Sequence, residues 1–452
     1  MTETLIPPLT APLRTDGGRL LRRIRELGAI GADPATGGIT RPGFGPADQE
    51  ARDWLLAEAR AAGLSAGVDA AGNVIMRRPP ADGDEAAAPR PAVLMGSHLD
   101  TVVNGGPLDG AYGVLAALEV LQRCAETGLE APYEPVAVGF ANEEGALFPQ
   151  PFWGSMALAG RLAELPGEPA DHHGRPLRGP LEAAGGNLDA LGTAAWSAGS
   201  VAAYLELHIE QGPVLERAGA EIGVVEAITG RCVLTLSVRG AAGHSGTTPM
   251  EGRRDAMAAA ARVVAAAEEI GRGRGLCRVA TVGRLEAHPN TPNTIAGSVT
   301  LTVDLRDTDP VRLRTAEAAL RTELERIAGE SGCGIAVTAL TRSEPVATHP
   351  PLRAAIEDGC AELGLSHLAL PSGAGHDAQI VADIAPIAMV FVPSIGGVSH
   401  VPQEATRPEH LVAGADVLLH VALHALGHRG SGHRVPDRAG SAHAPAAAAA
   451  AR

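Results

Sequence analysis

Five stretches of this chain offer imidazole or carboxylate groups suited to metal chemistry: Gly96-Ser97-His98-Leu99-Asp100-Thr101, Asp109-Gly110, Asn142-Glu143-Glu144-Gly145, the run LELHIEQG at 205–212, and Ser399-His400 with Glu404. Imidazole and carboxylate without thiolate suit borderline-to-hard divalent ions such as Zn2+ or Mn2+. Two such ions about 3.5–4 Å apart can share a hydroxide, polarise a carbonyl and stabilise a tetrahedral oxyanion. A carboxylate shared by both ions accounts for an Asp following the first His on a short glycine-rich loop. Asp100, two residues after His98, is expected to hydrogen-bond the second nitrogen of that imidazole rather than the same ion. The adjacent acids Glu143 and Glu144 are expected to point to opposite sides of an extended segment. One can then bind metal while its neighbour faces the attacking water as general base and returns the proton to the leaving nitrogen.

These groups follow apolar runs that read as strands. Residues 92–96 (AVLMG) and 135–141 (PVAVGFA) read as short buried strands, with 112–124 (YGVLAALEVLQRC) as the helix between them. Strand, helix, strand implies a parallel α/β sheet whose ligand crevice lies at the carboxyl ends of the strands. The rhythm then changes to strand 232–239, helix 254–270, strands 277–285 and 296–306, helix 310–328 and strand 334–341, a βαββαβ order that fits a small two-layer domain inserted into the larger one. A helix at 352–363, a strand at 386–393 and a helix at 408–426 complete the first domain. The expected division is a catalytic domain at 1–229 and 346–428, an inserted domain at 230–345, and an unstructured tail at 429–452. The start of the chain and residues 77–91 also read as weakly ordered.

Composition narrows the function classes. Among 452 residues there is no lysine, so all 37 basic side chains are arginine, which excludes Schiff-base and phosphate-loop lysine chemistry. With 52 acids the formal charge is −15, and only 5 Phe, 3 Tyr and 3 Trp are present, which argues against a nucleic-acid surface. Five cysteines lie far apart without a CxxC pair and read as free thiols of a cytoplasmic protein. The N-terminus lacks the pattern of a secretory signal, and no apolar stretch approaches the roughly 20 residues a membrane span needs. His420, His424 and His428, spaced by four, read as a polar helix face, since no acidic partner lies beside them in the sequence.

At its motifs the sequence resembles the di-metal aminoacylase/carboxypeptidase clan, and within it the hydantoinase/carbamoylase branch. The resemblance covers about residues 18–427 and rests on GSHLDT, NGGPLDGAYGV, NEEGALF, FWGS, LELHIEQGPVLE, GAAGHSGTTPM, PNTIAG, VDLR, SGAGHDA and SHVPQE. It implies a mixed, largely parallel sheet flanked by helices, with an inserted lid and dimerisation domain. It also implies two divalent ions, Zn2+ or Mn2+, with His98 and His208 on one, Glu144 and His400 on the other, Asp109 bridging, and Glu143 as base. Many peptidases of the clan have Asp where His208 stands, so that histidine favours the ureido-cleaving branch.

The same resemblance implies Gln211, His244, Asn293 and Arg306 around the substrate. Arg306 has the planar fork that clamps a carboxylate, although pairing with Asp304 or Asp307 is its bland alternative. His244 could donate to the developing oxyanion, and Asn293 to the carboxylate or ureido group. In the family this histidine and asparagine enter the partner subunit's site, which implies a homodimer. His376 and Asp377 are expected to line the pocket. Pro292 and Ala296 depart from the branch pattern and put the path of the Asn293 loop in question, as does the Gly/Ala/Pro-rich stretch 162–197 for the pocket mouth. The expected activity is hydrolysis of the carbamoyl C–N bond of a small ureido acid, an N-carbamoyl-L-amino acid or allantoate. Peptide or N-acyl amino acid hydrolysis is the rival, and a non-catalytic metal-dependent binding protein the remoter one.

Overall fold

The computed structural model describes residues 13–79, 90–162 and 167–427. The start of the chain, most of the stretch 77–91 and the tail lie outside these residues. Arg77 is described, and it ends a strand (Val74–Arg77) rather than opening a loop.

The larger sheet is mixed, with a parallel centre. Ala92–His98 lies between Glu134–Phe140 and Val201–Ile209 and runs parallel to both, and Ile387–Val392 continues the parallel run beyond Val201–Ile209. Antiparallel strands close its margins, with Ser65–Val68 and Val74–Arg77 at one end and Ile222–Ile228 towards the other. Every residue of Ala92–His98 is buried, because helices cover one face and a second apolar cluster around Tyr204, Phe140 and Phe391 covers the other. A strand buried on both faces reads as a continuous apolar run, which is why 92–96 was visible in the sequence. The helix Ala111–Glu126 crosses from Ala92–His98 to Glu134–Phe140 and buries most of its apolar side chains beside those of Pro408–Ala425.

The second sheet is antiparallel, ordered Gly334–Ser343, Gly230–Arg239, Ser298–Asp307, Val279–His288. Ser298–Asp307 alternates strictly between buried and half-buried positions, the period-2 pattern of a sheet covered on one face. Helices Ala256–Glu268 and Pro310–Ser331 supply that cover, packing Ala260, Val263, Leu320 and Ile327 onto Leu234, Leu236, Leu301 and Val303. The βαββαβ order is as expected, with each boundary within three residues.

The strand Val201–Ile209 was not legible. Its buried Glu206 and His208 break the apolar run, and they are tolerated because Ser97 Oγ and the Ala378 N–H donate to the Glu206 carboxylate at 2.8 and 2.9 Å. All five cysteines are buried and free. Among the described residues no helix is long and apolar enough to cross a membrane.

Candidate metal centre

The candidate ligands converge at the carboxyl ends of the parallel strands, where α/β sheets place their sites. His98 is the last residue of its strand and His208 the penultimate residue of its own. Glu143 and Glu144 follow Glu134–Phe140, Asp109 precedes the helix Ala111–Glu126, and His400 lies beyond Ile387–Val392.

Asp109 stands at the centre. Its Oδ1 lies 3.1 Å from His208 Nε2 and 3.4 Å from His98 Nε2, and its Oδ2 lies 3.0 Å from His400 Nε2. His400 Nε2 is also 3.3 Å from Glu144. Potential ligand atoms of His98, Asp109 and His208 fall within 4.8 Å of one another, as do those of Asp109, Glu144 and His400. These are the two groupings expected for two ions sharing Asp109. The close approach depends on Gly110, whose backbone is left-handed and where a Cβ would lie 2.3 Å from the His98 ring.

The tautomers show that these groups fit a cation. His98 Nδ1 lies 3.0 Å from the Asp100 carbonyl and His208 Nδ1 lies 2.9 Å from the Ile209 carbonyl, so both Nδ1 atoms carry the proton and donate. In the neutral rings each Nε2 would turn a lone pair towards the Asp109 carboxylate, a repulsion relieved either by a proton on Nε2 or by a metal ion between them. The electrostatics agree. Burial opposes the charged form of His98, but Glu143, Asp109 and Asp100 outweigh it and hold the imidazole well above its ordinary range. Hydrogen bonds to Asp109 and Glu144 lift His400 to about 10. A field that draws protons to imidazoles also draws a divalent ion.

Two expectations need correction. Asp100 meets His98 through its backbone carbonyl; its carboxylate, 3.8 Å from Nδ1, instead accepts the N–H groups of Glu143 at 2.9 Å and Glu144 at 3.1 Å. It therefore positions the two glutamates. Nor do Glu143 and Glu144 point to opposite sides. Asn142 adopts a left-handed backbone (φ 50°) that turns the chain out of the strand, and both carboxylates come within 4.8 Å of the ligating atom of His98. Glu143 Oε2 is 3.8 Å from His98 Nε2. Burial, then the repulsion of Glu144, Asp377 and Asp100, holds its carboxyl well above the usual range despite the attraction of His98.

Gln211 reaches the same cluster, donating to Asp109 Oδ2 at 2.8 Å from a left-handed backbone. His376 is buried, packs edge-on against His208 with ring centroids 4.7 Å apart, and meets Ser372 Oγ at 2.7 Å. Burial and the neighbouring His208 keep it neutral, well below the ordinary histidine range. Asp377 beside it is fully buried, and its carboxyl is raised to about 8 by burial and by Glu206.

The remaining substrate candidates lie apart from this cluster. His244 is exposed, and its Nδ1 accepts the N–H groups of Gly246 and Thr247 at 3.1 and 3.2 Å, which leaves Nε2–H as an outward donor. Asn293 lies beside it, because Thr294–Ile295 pairs with Gly243–His244 and the Ser245 N–H donates to the Asn293 carbonyl. Pro292 leaves that pairing intact. Arg306 is engaged as its bland alternative described, bonding Asp304 at 2.9 Å, and it also donates to the Gly373 carbonyl at 2.6 Å. Gly373 belongs to the loop that leads to His376. On the last helix, His420 finds the acidic partner that the local sequence lacks, with Nδ1 3.2 Å from Glu362.

Sequence reasoning counts Glu404 among the carboxylates near the site but assigns it no particular role. It is 3 % exposed and bonds the backbone of Leu108 and Asp109. An acid at the end of SHVPQE carries no sequence signal of burial.

The description of peptidase family M20/M25/M40 matches residues 94–424. The chain is 41 % identical over 404 residues to the N-carbamoyl-L-amino acid amidohydrolase of Geobacillus stearothermophilus, covering 89 % of this chain and 97 % of the relative. It is 38 % identical over 402 residues to the allantoate amidohydrolase of Escherichia coli, covering 87 % and 94 %. A crystal structure of an amidase of the hydantoinase/carbamoylase family from Burkholderia multivorans superposes with a TM-score of 0.81 at 38 % identity, covering 91 % of this chain and 98 % of that one. On this evidence the chain belongs to peptidase family M20/M25/M40, alongside the hydantoinase/carbamoylase amidases.

Proposed function

We propose that this protein is a metal-dependent amidohydrolase that cleaves the carbamoyl C–N bond of a small ureido acid, an N-carbamoyl-L-amino acid or allantoate, releasing the amine, ammonia and carbon dioxide. The observation that carries the reading is the Asp109 carboxylate held between His98 and His208 on one oxygen and His400 on the other. It is joined by relatives named for both substrates. His98 and His208 would hold one ion, Glu144 and His400 the other, and Asp109 both. When bound, such a pair supplies Lewis acidity towards the scissile carbonyl and acidifies water. Glu143, buried beside His98, takes the proton of the attacking water and returns it to the leaving nitrogen. Asp100 fixes the backbone of both glutamates. Gln211 and His376 wall the site, and Arg306 receives the substrate carboxylate on exchanging its Asp304 partner.

A panel of N-carbamoyl-L-amino acids, allantoate, N-acyl amino acids and dipeptides tests the assignment. Ammonia release from a ureido acid with no cleavage of dipeptides is expected; cleavage of dipeptides or N-acyl amino acids alone would refute it.

The chain is proposed to act as a cytoplasmic homodimer through its inserted domain, 230–345. Val279–His288 is the edge strand of its sheet, with no partner on its outer side among the described residues; Val279 and Leu285 are exposed on it, and Met257 and Val264 on the neighbouring helix. An edge of this kind invites pairing with a second copy. His244, exposed with its donor outward, would then serve the partner's site together with Asn293. Mixing His244→Ala protomers with Glu143→Gln protomers should restore up to about a quarter of wild-type activity, since half of randomly exchanged dimers are mixed and each holds one intact site. Subunit exchange without recovery would contradict shared sites.

A further inference from the structure

We propose that Glu404 is a positioning residue that locks the Asp109 segment to the His400 segment and thereby sets the affinity of the second metal ion, the one assigned to Asp109, Glu144 and His400. The inference rests on the metal reading above and assigns a role that the ligand set does not include.

The carboxylate of Glu404 is buried, and both oxygens are engaged. Oε1 accepts the N–H groups of Leu108 at 2.9 Å and Asp109 at 3.0 Å. Oε2 accepts the Ser399 hydroxyl at 2.6 Å and lies 3.4 Å from the His400 N–H. One side chain thus ties together two segments nearly three hundred residues apart in sequence. Each of those segments carries a ligand, and Ser399 Oγ also lies 3.0 Å from Asp109 Oδ2. The space around the carboxylate is built for it: a Cβ on Gly106 would lie 2.4 Å from Oε1.

What this clamp fixes is the meeting of His400 with Asp109. His400 has a left-handed backbone (φ 61°), a conformation a non-glycine residue holds only when its surroundings impose it. Its imidazole is half exposed, unlike those of His98 and His208. The rings of His98 and His208 are held by strand ends and by carbonyls on their Nδ1 atoms, with no contribution from Glu404. Loss of the clamp therefore releases the His400 segment outright, whereas the first ion keeps both histidines and loses only the backbone anchor of Asp109.

The test is calorimetric titration of metal-free, full-length protein with Zn2+, backed by elemental analysis, for wild type, Glu404→Ala, Gly106→Ala and His400→Ala. Wild type should take up two ions. Glu404→Ala should bind the second about 10–100-fold more weakly, the usual cost of removing a group that orients a ligand, and the first with a clearly smaller loss. Gly106→Ala displaces the same carboxylate without deleting it and should reproduce this selective loss, which covers the case in which Glu404→Ala does not fold. His400→Ala marks the signature of a lost second ion. Unchanged affinity for both ions in the folded variants would overturn the proposal, as would equal weakening of both. Wild-type protein that takes up fewer than two ions would remove the metal reading, and this proposal with it.

Discussion

Glu143→Gln should lower kcat about 10²–10⁴-fold, the range supplied by a positioned general base, while leaving two ions bound. The substitution preserves volume and the two backbone bonds, because the N–H groups of Glu143 and Glu144 donate to Asp100 whatever the side chain is. It removes only the group that can carry a proton. Glu143 is 8 % exposed, and among the described residues the cationic neighbour of its carboxylate is the His98 imidazole at 3.8 Å. Burial, then neighbouring acids, raise the affinity of Glu143 for a proton against the attraction of His98, the direction that suits a group taking a proton from water. Metal content by elemental analysis and kcat from ammonia release check this together. Undiminished turnover would remove Glu143 from the base role, and loss of an ion would recast it as a ligand.

Asp109→Ala should be at least as damaging and by a different route. Each oxygen of this carboxylate belongs to a different cluster, Oδ1 to His98 and His208 and Oδ2 to His400. Removing it should weaken both ions, and activity should fall more than about 100-fold, since changes to mere ligand-orienting groups already reach that figure. His400→Ala provides the contrast, because it touches one cluster and should cost one ion. Elemental analysis after gel filtration distinguishes the two. An Asp109→Ala protein that still carries two ions would show that the carboxylate does not bridge.

How much of this the sequence displays depends on what each residue answers to. Strands buried on both faces, such as Ala92–His98, and strictly alternating ones, such as Ser298–Asp307, announce themselves through composition and period. Val201–Ile209 does not, because Glu206 and His208 are polar for reasons that lie in distant partners, Ser97, Ala378 and Asp109. The convergence of His98, Asp109, Glu144, His208 and His400 was legible because their motifs follow strand ends, while their assignment to two ions came from the family resemblance. The directions in which Asp100 and the two glutamates point were not legible, because they turn on a single left-handed residue, Asn142, and on which atom of Asp100 faces His98. Arg306 shows the same limit: its fork is evident from the sequence, but its engagement with Asp304 and the Gly373 carbonyl is a matter of tertiary packing. Glu404 is the clearest case, an acid whose four partners include two backbone groups about three hundred residues away.

Ammonia released from an N-carbamoyl-L-amino acid and from allantoate, measured as metal-free protein is titrated with Zn2+ or Mn2+, decides whether the protein is a two-metal hydrolase of ureido acids. No release is expected without metal, and the rate should rise until two equivalents per chain are bound and then level off. Full activity in the presence of a chelator, or no ammonia from either substrate with both ions bound, would contradict it.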